Sequence, residues 1–95
     1  MNKLSDDELG SFLSAHPGWT RDGNVLTRTF SFGAYGAGVG FAVAVAVAAE
    51  KRDHHPDLAI GWRRVEVRWS THDAGGITAL DVEMAGVTDA LAPPA

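Results

Sequence analysis

The stretch from Thr29 to Ala49 restricts the possible folds of this chain more than any other feature, because it contains no charged residue. Its length is close to the roughly 20 residues that a helix needs to cross a bilayer. The stretch is built largely of Gly and Ala, however, and it lacks the dense Leu, Ile and Phe that drive membrane insertion. We therefore interpret it as a buried helix of a soluble protein, with a membrane span as a distant alternative, and we expect no membrane association.

A helix is predicted from Gly33 to Lys51. The segment Ala42–Val47 alternates between two residue types, as a strand would, but the length of the run, its many alanines and the charges that close it favour a helix. Four glycines in its first half (Gly33, Gly36, Gly38 and Gly40) each cost up to about 1 kcal/mol relative to Ala. We hypothesise that close approach of another helix, within the fold or across an oligomer, offsets this cost.

Capping patterns predict where two further helices begin. Ser5 is followed three residues later by Glu8, the spacing of a capping box, in which two side chains satisfy free backbone N–H groups. The segment His16–Gly18 ends this helix, because proline disfavours helical geometry in the residue before it. Thr78 and Asp81 repeat the capping spacing at the start of the last helix. This structural role of Asp81 is at least as well supported as a catalytic one.

The remaining ordered segments are predicted to be short strands. In the segment Arg64–Thr71, Val65, Val67 and Trp69 face one way and the polar residues between them face the other, which is typical of a half-buried strand. The predicted strands are Trp19–Arg21, Val25–Phe32, Leu58–Ile60 and Arg64–Thr71, and the turn signal Asp22–Asn24 joins the first two as a hairpin.

Length and composition narrow the functional classes. A chain of 95 residues is predicted to form one domain, residues 1–95, with a single modest core. Eight Lys and Arg against twelve Asp and Glu give a net charge of −4, which leaves no positive face for nucleic acid. The absence of cysteine excludes thiol catalysis and cysteine-bound metals. Together with an N-terminal segment that lacks an apolar signal core, it favours a cytoplasmic location.

Three of the four histidines cluster in two short motifs. His54 and His55 precede Pro56, and His72 lies in the segment Ser70–Asp73. Histidine is the side chain that most readily gives or takes a proton near neutral pH. Such a cluster is suited to paired acid–base chemistry, in which one group removes a proton while another delivers one.

The order of these motifs resembles the pterin-4a-carbinolamine dehydratase family. The residues that carry the resemblance extend across nearly the whole chain: Gly18-Trp19, Phe30–Phe32, Phe41, Ala49–Lys51, His54–Asp57, Trp62, Thr71–Asp73, Gly75–Thr78 and Asp81. The resemblance implies an α+β fold with a four-stranded antiparallel sheet and three helices packed on one face. It also implies a homodimer or a homotetramer.

The resemblance further implies an activity. Members of the family are lyases that remove water from 4a-hydroxytetrahydropterin to give quinonoid dihydropterin, a step of tetrahydrobiopterin recycling, and no metal or organic cofactor is expected. The implied roles are acid–base catalysis for His54, His55 and His72, substrate contacts for Pro56, Thr71 and Asp73, and support for Glu50, Trp62 and Asp81. Glu50 lies four residues before His54, so if the helix extends that far, we predict that its carboxylate orients that imidazole or favours its charged form.

Other interpretations are open. A protein of the same fold that binds a partner, such as a hydroxylase or a transcription regulator, would explain the apolar central helix. The animal members of the family also serve as dimerisation cofactors of a homeodomain transcription factor. The histidines could instead hold zinc, although sequence neighbours rarely ligate one ion together. Glu50 and Trp62 also have plain structural interpretations, as a charge at a helix end and a packing aromatic. Compared with the family, the central helix is poor in charge and rich in Gly, and Trp69 stands where aliphatic residues are usual.

Overall fold

The computed structural model describes residues 1–94 and contains three α-helices and a four-stranded antiparallel sheet. The helices are α1 (Asp6–Ala15), α2 (Tyr35–Arg52) and α3 (Ala79–Leu91), and the strands are β1 (Thr20–Asp22), β2 (Val25–Ser31), β3 (Asp57–Gly61) and β4 (Arg64–Trp69). A short 3₁₀ helix, His72–Ala74, lies between β4 and α3. The predicted α+β fold is thereby confirmed.

The hydrophobic core lies between one face of the sheet and the helices. The strand order is β1-β2-β4-β3. The alternation predicted for β4 is confirmed, because the side chains of Val65, Val67 and Trp69 are fully buried. In β2, Leu26 lies opposite Trp69 and Phe30 lies opposite Val65, which extends the apolar face. The helices contribute Leu9 from α1, Phe41 and Val45 from α2, and Met84 and Ala85 from α3.

The strand ends differ slightly from the predicted ones. β1 begins at Thr20 because the backbone N–H of Trp19 donates to the carbonyl of His16 at 3.0 Å, which keeps Trp19 in the turn after α1. The indole of Trp19 is buried in the core. The other ends shift similarly: β2 ends at Ser31, β4 ends at Trp69, and β3 extends to Asp57 and Gly61.

The uncharged stretch forms most of α2, which begins two residues later than predicted. The interpretation of the whole stretch as a buried helix is wrong at its first residues, since Thr29–Ser31 belong to β2, and on the outer side of α2, where Val43 and Val47 are exposed. At Gly38, an added Cβ atom would lie 3.3 Å from the Phe32 ring and 3.4 Å from Val65. The close approach at this glycine is therefore between a helix and the sheet, and the hypothesis of two helices in contact is wrong at this position. Within residues 1–94, no helix combines the length and the apolarity that crossing a bilayer requires.

Both predicted capping boxes are present. Ser5 Oγ accepts from the backbone N–H of Glu8 at 3.1 Å, and the Glu8 carboxylate accepts from the N–H of Ser5 at 2.9 Å. The Ser5 N–H lowers the pKa of Glu8, because it stabilises the charged carboxylate. At the start of α3, the Asp81 carboxylate accepts from the N–H of Thr78 at 2.9 Å. This second box fixes Asp81 in the first turn of α3.

Candidate active site

A cleft of about 250 Å³ lies between the end of α2 and the segment that follows β4. One wall consists of Asp53, His54 and His55, and the other of Ser70, Thr71, His72 and Asp73. The three histidines of the two predicted motifs therefore meet at one cleft, although the motifs are separated by two strands.

The end of α2 determines the direction of the backbone that forms the first wall. Asp53 has left-handed backbone geometry, with φ of 54° and ψ of 43°. Its N–H donates to the carbonyl of Glu50, and the N–H of His54 donates to the carbonyl of Ala49, both at 3.2 Å. This pair of hydrogen bonds is a Schellman motif, which satisfies free carbonyl groups at a helix end and turns the chain sharply. His54 and His55 are thereby directed away from the helix.

His54 is the most firmly held of the three imidazoles. Its Nε2 lies 2.6 Å from Oδ1 of Asp81, and its ring stacks on Trp69 with centroids 5.6 Å apart and planes 17° apart. The indole N–H of Trp69 donates to Thr88 Oγ1 at 3.1 Å, which fixes the indole in turn. Only 12% of the His54 side chain is exposed. With the Asp81 carboxylate as the acceptor, Nε2 of His54 donates this bond, and Nδ1 is the ring nitrogen that the bond leaves unprotonated.

Asp81 connects the two walls of the cleft. Its side chain is fully buried, and one carboxylate oxygen bonds to His54 of the first wall. The other oxygen accepts from the hydroxyl of Thr71 in the second wall at 2.8 Å, besides the N–H of Thr78. A buried carboxylate requires such partners, because burial without hydrogen bonds would cost several kcal/mol. Asp81 therefore fixes both the cap of α3 and the spacing of the cleft.

Glu50 does not contact His54, and this part of the sequence prediction is wrong. Helix α2 ends at Arg52, so the spacing of four residues along a helix does not extend to His54. The Glu50 carboxylate instead bonds to Nε2 of His55. Both side chains of this pair are more than half exposed. Water screens such a pair, so it orients His55 weakly.

His72 is presented by a closed loop. The loop begins and ends at an isolated bridge, in which the backbone of Thr71 bonds to that of Gly76. Gly75 has a φ of 74°, a left-handed geometry that favours glycine, and its N–H donates to the carbonyl of His72 at 3.0 Å. His72 and Asp73 are exposed at the start of the 3₁₀ helix, facing the first wall across the cleft.

Comparison with known proteins identifies the family. The sequence model described as pterin 4 alpha carbinolamine dehydratase matches residues 2–91. The chain belongs to the pterin-4a-carbinolamine dehydratase family. A relative from Natronomonas pharaonis, provisionally named pterin-4-alpha-carbinolamine dehydratase, is 52% identical over 91 residues, which cover 96% of this chain and 97% of the relative. That name denotes a hydro-lyase, so the family is one of enzymes.

Solved structures of pterin dehydratases agree with this assignment. A crystal structure of a transcriptional coactivator/pterin dehydratase from Brucella melitensis matches with a TM-score of 0.90 and 36% identity, over 97% of this chain and 100% of that chain. A pterin dehydratase-like protein identified as a RuBisCO assembly factor in the alpha-carboxysome matches with a TM-score of 0.69 and 26% identity, over 84% of this chain and 95% of that chain. Relatives with this fold are thus named both as pterin dehydratases and as an assembly factor.

Of the nine residues to which the resemblance assigns a role, four do not line the cleft: Glu50, Pro56, Trp62 and Asp81. Glu50 and Asp81 act at the cleft only through their bonds to His55 and His54. Pro56 is half-buried just beyond it. Trp62 lies in the turn between β3 and β4, where it is 73% exposed and contacts the Arg63 guanidinium. The whole of β3, at about 3.3 Å per residue, separates this turn from the histidines. Within this chain, Trp62 therefore does not contribute to the cleft.

Sequence analysis assigned no role in the site to three of its residues. Asp53 and Ser70 line the cleft, and Trp69 supports His54 from below. Trp69 was placed on the apolar face of its predicted strand and noted as unusual for a dehydratase, with no role in the site. Its burial was predictable from the alternation of β4, whereas its contact with His54 depends on the packing of the end of α2 against the sheet.

The zinc interpretation has no geometric support. Among residues 1–94, no group of three or more His, Cys, Asp or Glu side chains is placed to hold a metal ion. Nε2 of His54 and Nε2 of His55 are each bonded to a carboxylate. Three-histidine zinc sites need three ring nitrogens that converge on one point.

Proposed function

We propose that this protein removes water from 4a-hydroxytetrahydropterin to give quinonoid dihydropterin, in the recycling of tetrahydrobiopterin, by histidine acid–base catalysis. The observation that carries the proposal is the meeting of His54 and His55 with His72 across one small cleft. Membership of the dehydratase family supports the same reaction.

The reaction needs two proton transfers and no other reagent. A base takes the proton from N5 of the pterin, and an acid gives a proton to the hydroxyl on C4a. The C4a–O bond then breaks, water leaves, and a double bond forms between C4a and N5. Each positioned acid or base contributes about 10²–10⁴-fold to such a rate. Histidines on opposite walls suit these roles, since both protons move at adjacent atoms of one ring.

The polarity of the cleft also suits a pterin. Its seven lining residues include three imidazoles, two carboxylates and two hydroxyls. No Lys or Arg is among them, so the cleft does not favour an anionic ligand. A pterin ring is neutral, and its 2-amino and N3–H groups are hydrogen-bond donors that match carboxylate acceptors such as Asp53 and Asp73. We assign substrate contacts to Asp73 and Thr71, and a stiffening of the adjacent loop to Pro56.

The activity is tested by following quinonoid dihydropterin formation from 4a-hydroxytetrahydropterin with the purified protein. We expect a rate well above that in buffer, in proportion to protein concentration and unchanged by a chelator. A rate equal to the buffer background would refute the proposal. Loss of activity with a chelator, together with stoichiometric zinc in the protein, would favour the metal interpretation.

A second candidate is a binding module that acts on a protein partner. The observation that favours it is the outer face of α2, where Val43 is 58% exposed and Val47 is 51% exposed. The dehydratase-like relative identified as an assembly factor shows that the fold serves in such a role. Binding of a purified hydroxylase or transcription regulator by a protein without any dehydratase rate would support this candidate. The cleft with three histidines argues against it, because docking does not need them.

A further inference from the structure

Trp69 lies where β4 meets the cleft. It is the last residue of the strand, and the residues after it, Ser70–Asp73, form the second wall. Its indole is fully buried and stacks on the ring of His54, in the first wall, with centroids 5.6 Å apart and planes 17° apart. Trp69 therefore joins the two walls by a contact that is separate from the bonds of Asp81.

We propose that Trp69 is a positioning residue for the dehydration, because its indole fixes the plane of the His54 imidazole and thereby the direction of Nδ1. This role rests on the proposed dehydratase function. Trp69 does not line the cleft, so it acts on the reaction through His54 and not by a contact with the substrate.

The bond to Asp81 by itself restrains one atom of the His54 ring. That atom, Nε2, lies 2.6 Å from Oδ1 of Asp81. The χ2 torsion of histidine has broad minima, so the side chain alone resists rotation of the ring only weakly. A parallel stack on a flat ring restrains the plane. Because Nδ1 lies in that plane, the bond and the stack together fix the direction of its lone pair, and proton transfer depends on such alignment.

The indole is itself held in one orientation. Its N–H donates to Thr88 Oγ1 at 3.1 Å, and the Thr88 hydroxyl donates to the carbonyl of Met84 at 2.7 Å. Both of these residues belong to α3. The imidazole of His54 is thus tied to α3 twice, directly through Asp81 and indirectly through Trp69 and Thr88.

Packing alone does not account for this polar pair. Val65 and Val67 fill the same face of β4 with side chains that have no polar atom. A buried indole N–H needs a partner, and Thr88, the partner here, is fully buried as well. A threonine that bonds back to the carbonyl four residues earlier also slightly destabilises its helix. Two aliphatic side chains would fill the core without these requirements, whereas the positioning of His54 needs the flat ring.

The test compares two substitutions of Trp69 in the whole protein. Trp69→Leu keeps an apolar side chain and removes the flat ring, whereas Trp69→Phe keeps a flat ring and removes the N–H. For the dehydration of 4a-hydroxytetrahydropterin, we expect kcat to fall about tenfold with Trp69→Leu and about twofold with Trp69→Phe. KM should stay unchanged in both, because the direction of Nδ1 matters in the transition state.

An NMR signal reports the stack independently of activity. The ring current of an indole moves the signals of protons over its face upfield, so the ring protons of His54 are expected upfield of those of His55, which is more than half exposed. Trp69→Leu should remove this shift, and Trp69→Phe should keep part of it.

Trp19→Phe is the matched control. Trp19 is also buried, and its indole N–H also bonds to a residue of α3, Asp89, but it lies outside the cleft. We expect this change to lower the free energy of unfolding and to leave kcat and the His54 signals unchanged. Thr88→Val releases the indole N–H without removing Trp69, so it should lower kcat as well and serves as the second variant if Trp69→Leu does not fold.

The outcomes separate the positioning role from the proposed function. A wild-type protein that does not dehydrate the substrate would overturn the proposed function, and the positioning role with it. With an active wild type, three results would overturn the positioning role alone. They are an unchanged kcat in the Trp69→Leu or Thr88→Val protein that folds, an equal loss in Trp69→Leu and Trp69→Phe, and a loss of the same size in Trp19→Phe.

Discussion

At the scale of single residues, Asp81 determines the geometry of the site. It bonds to His54 and Thr71, one residue from each wall, and it also caps α3. The structural role predicted from its spacing after Thr78 and a role at the histidines are therefore not alternatives. A neutral amide at this position would keep the size of the side chain and change only its hydrogen bonds, so Asp81→Asn isolates the effect of the carboxylate.

Asp81→Asn is expected to lower kcat about 100-fold or more while leaving the fold intact. If the amide oxygen keeps its bond to the Thr78 N–H, the amide nitrogen faces Nε2 of His54. Two donors then face each other, and the imidazole moves its proton to Nδ1, which removes the nitrogen lone pair left for substrate. The measurement is kcat for the dehydration of 4a-hydroxytetrahydropterin, with circular dichroism to check the fold.

Asp89→Asn is the matched control for this change. Asp89 is also on α3 and also accepts from an aromatic ring N–H, that of Trp19, at 3.0 and 3.1 Å. It bonds to Arg28 as well and does not line the cleft. We expect Asp89→Asn to lower the free energy of unfolding and to leave kcat unchanged. An Asp81→Asn protein with wild-type kcat would show that the carboxylate has no part in positioning His54.

At the scale of elements, the end of α2 is the feature that brings the first wall into place. Its Schellman motif needs left-handed geometry at Asp53, a geometry that glycine adopts without strain. A negative charge at a helix C-terminus is also unfavourable, because it lies near the negative end of the helix dipole. Asp53 therefore lowers the free energy of unfolding slightly, at a position that lines the cleft.

Asp53→Gly is expected to raise the free energy of unfolding by about 1 kcal/mol, because it removes both the backbone strain and the unfavourable charge. Urea denaturation of both proteins measures this change. Asp53→Asn removes the charge alone and should give a smaller gain. A lower free energy of unfolding for Asp53→Gly would show that the Asp53 side chain stabilises the turn more than its geometry costs.

Local features of the elements could be predicted from sequence, and contacts between elements could not. Both capping boxes and the buried face of β4 follow from spacing within a few residues, and both are confirmed. The bond between His54 and Asp81 joins residues 27 positions apart, and no local rule indicates it. The predicted contact of Glu50 with His54 was wrong for a related reason: the rule for neighbouring turns of a helix was applied across a helix end.

At the scale of the whole molecule, one layer of helices covers one face of the sheet, and the outer side of α2 has nothing packed on it within residues 1–94. Its exposed residues include Tyr35, Val43 and Val47, and an added Cβ atom at Gly36 or Gly40 would meet nothing within 4 Å. Exposed apolar faces of this kind mark interaction surfaces. The homodimer or homotetramer expected from the resemblance would bury this face, and a contact between copies there would also account for these two glycines.

We propose that copies of this chain associate through this face, so Val43→Lys is expected to give a species of lower mass than the wild type, because a charge buried in an apolar contact has no partner. Light scattering coupled to size-exclusion chromatography measures the mass of each protein. Ser11→Lys, at an exposed position of α1, is the control and should keep the mass of the wild type. A wild-type protein that is a monomer at all concentrations, or a Val43→Lys protein of unchanged mass, would contradict this assignment of the interface.

The proposed activity depends on proton transfer by histidines that meet across the cleft. The most direct test is the dehydration rate of His54→Ala and His72→Ala, with His16→Ala as the control, because His16 is exposed at the end of α1 and lies outside the cleft. We predict that each cleft variant loses about 100-fold or more in kcat and that His16→Ala keeps the wild-type rate. Wild-type rates in both cleft variants would contradict the account.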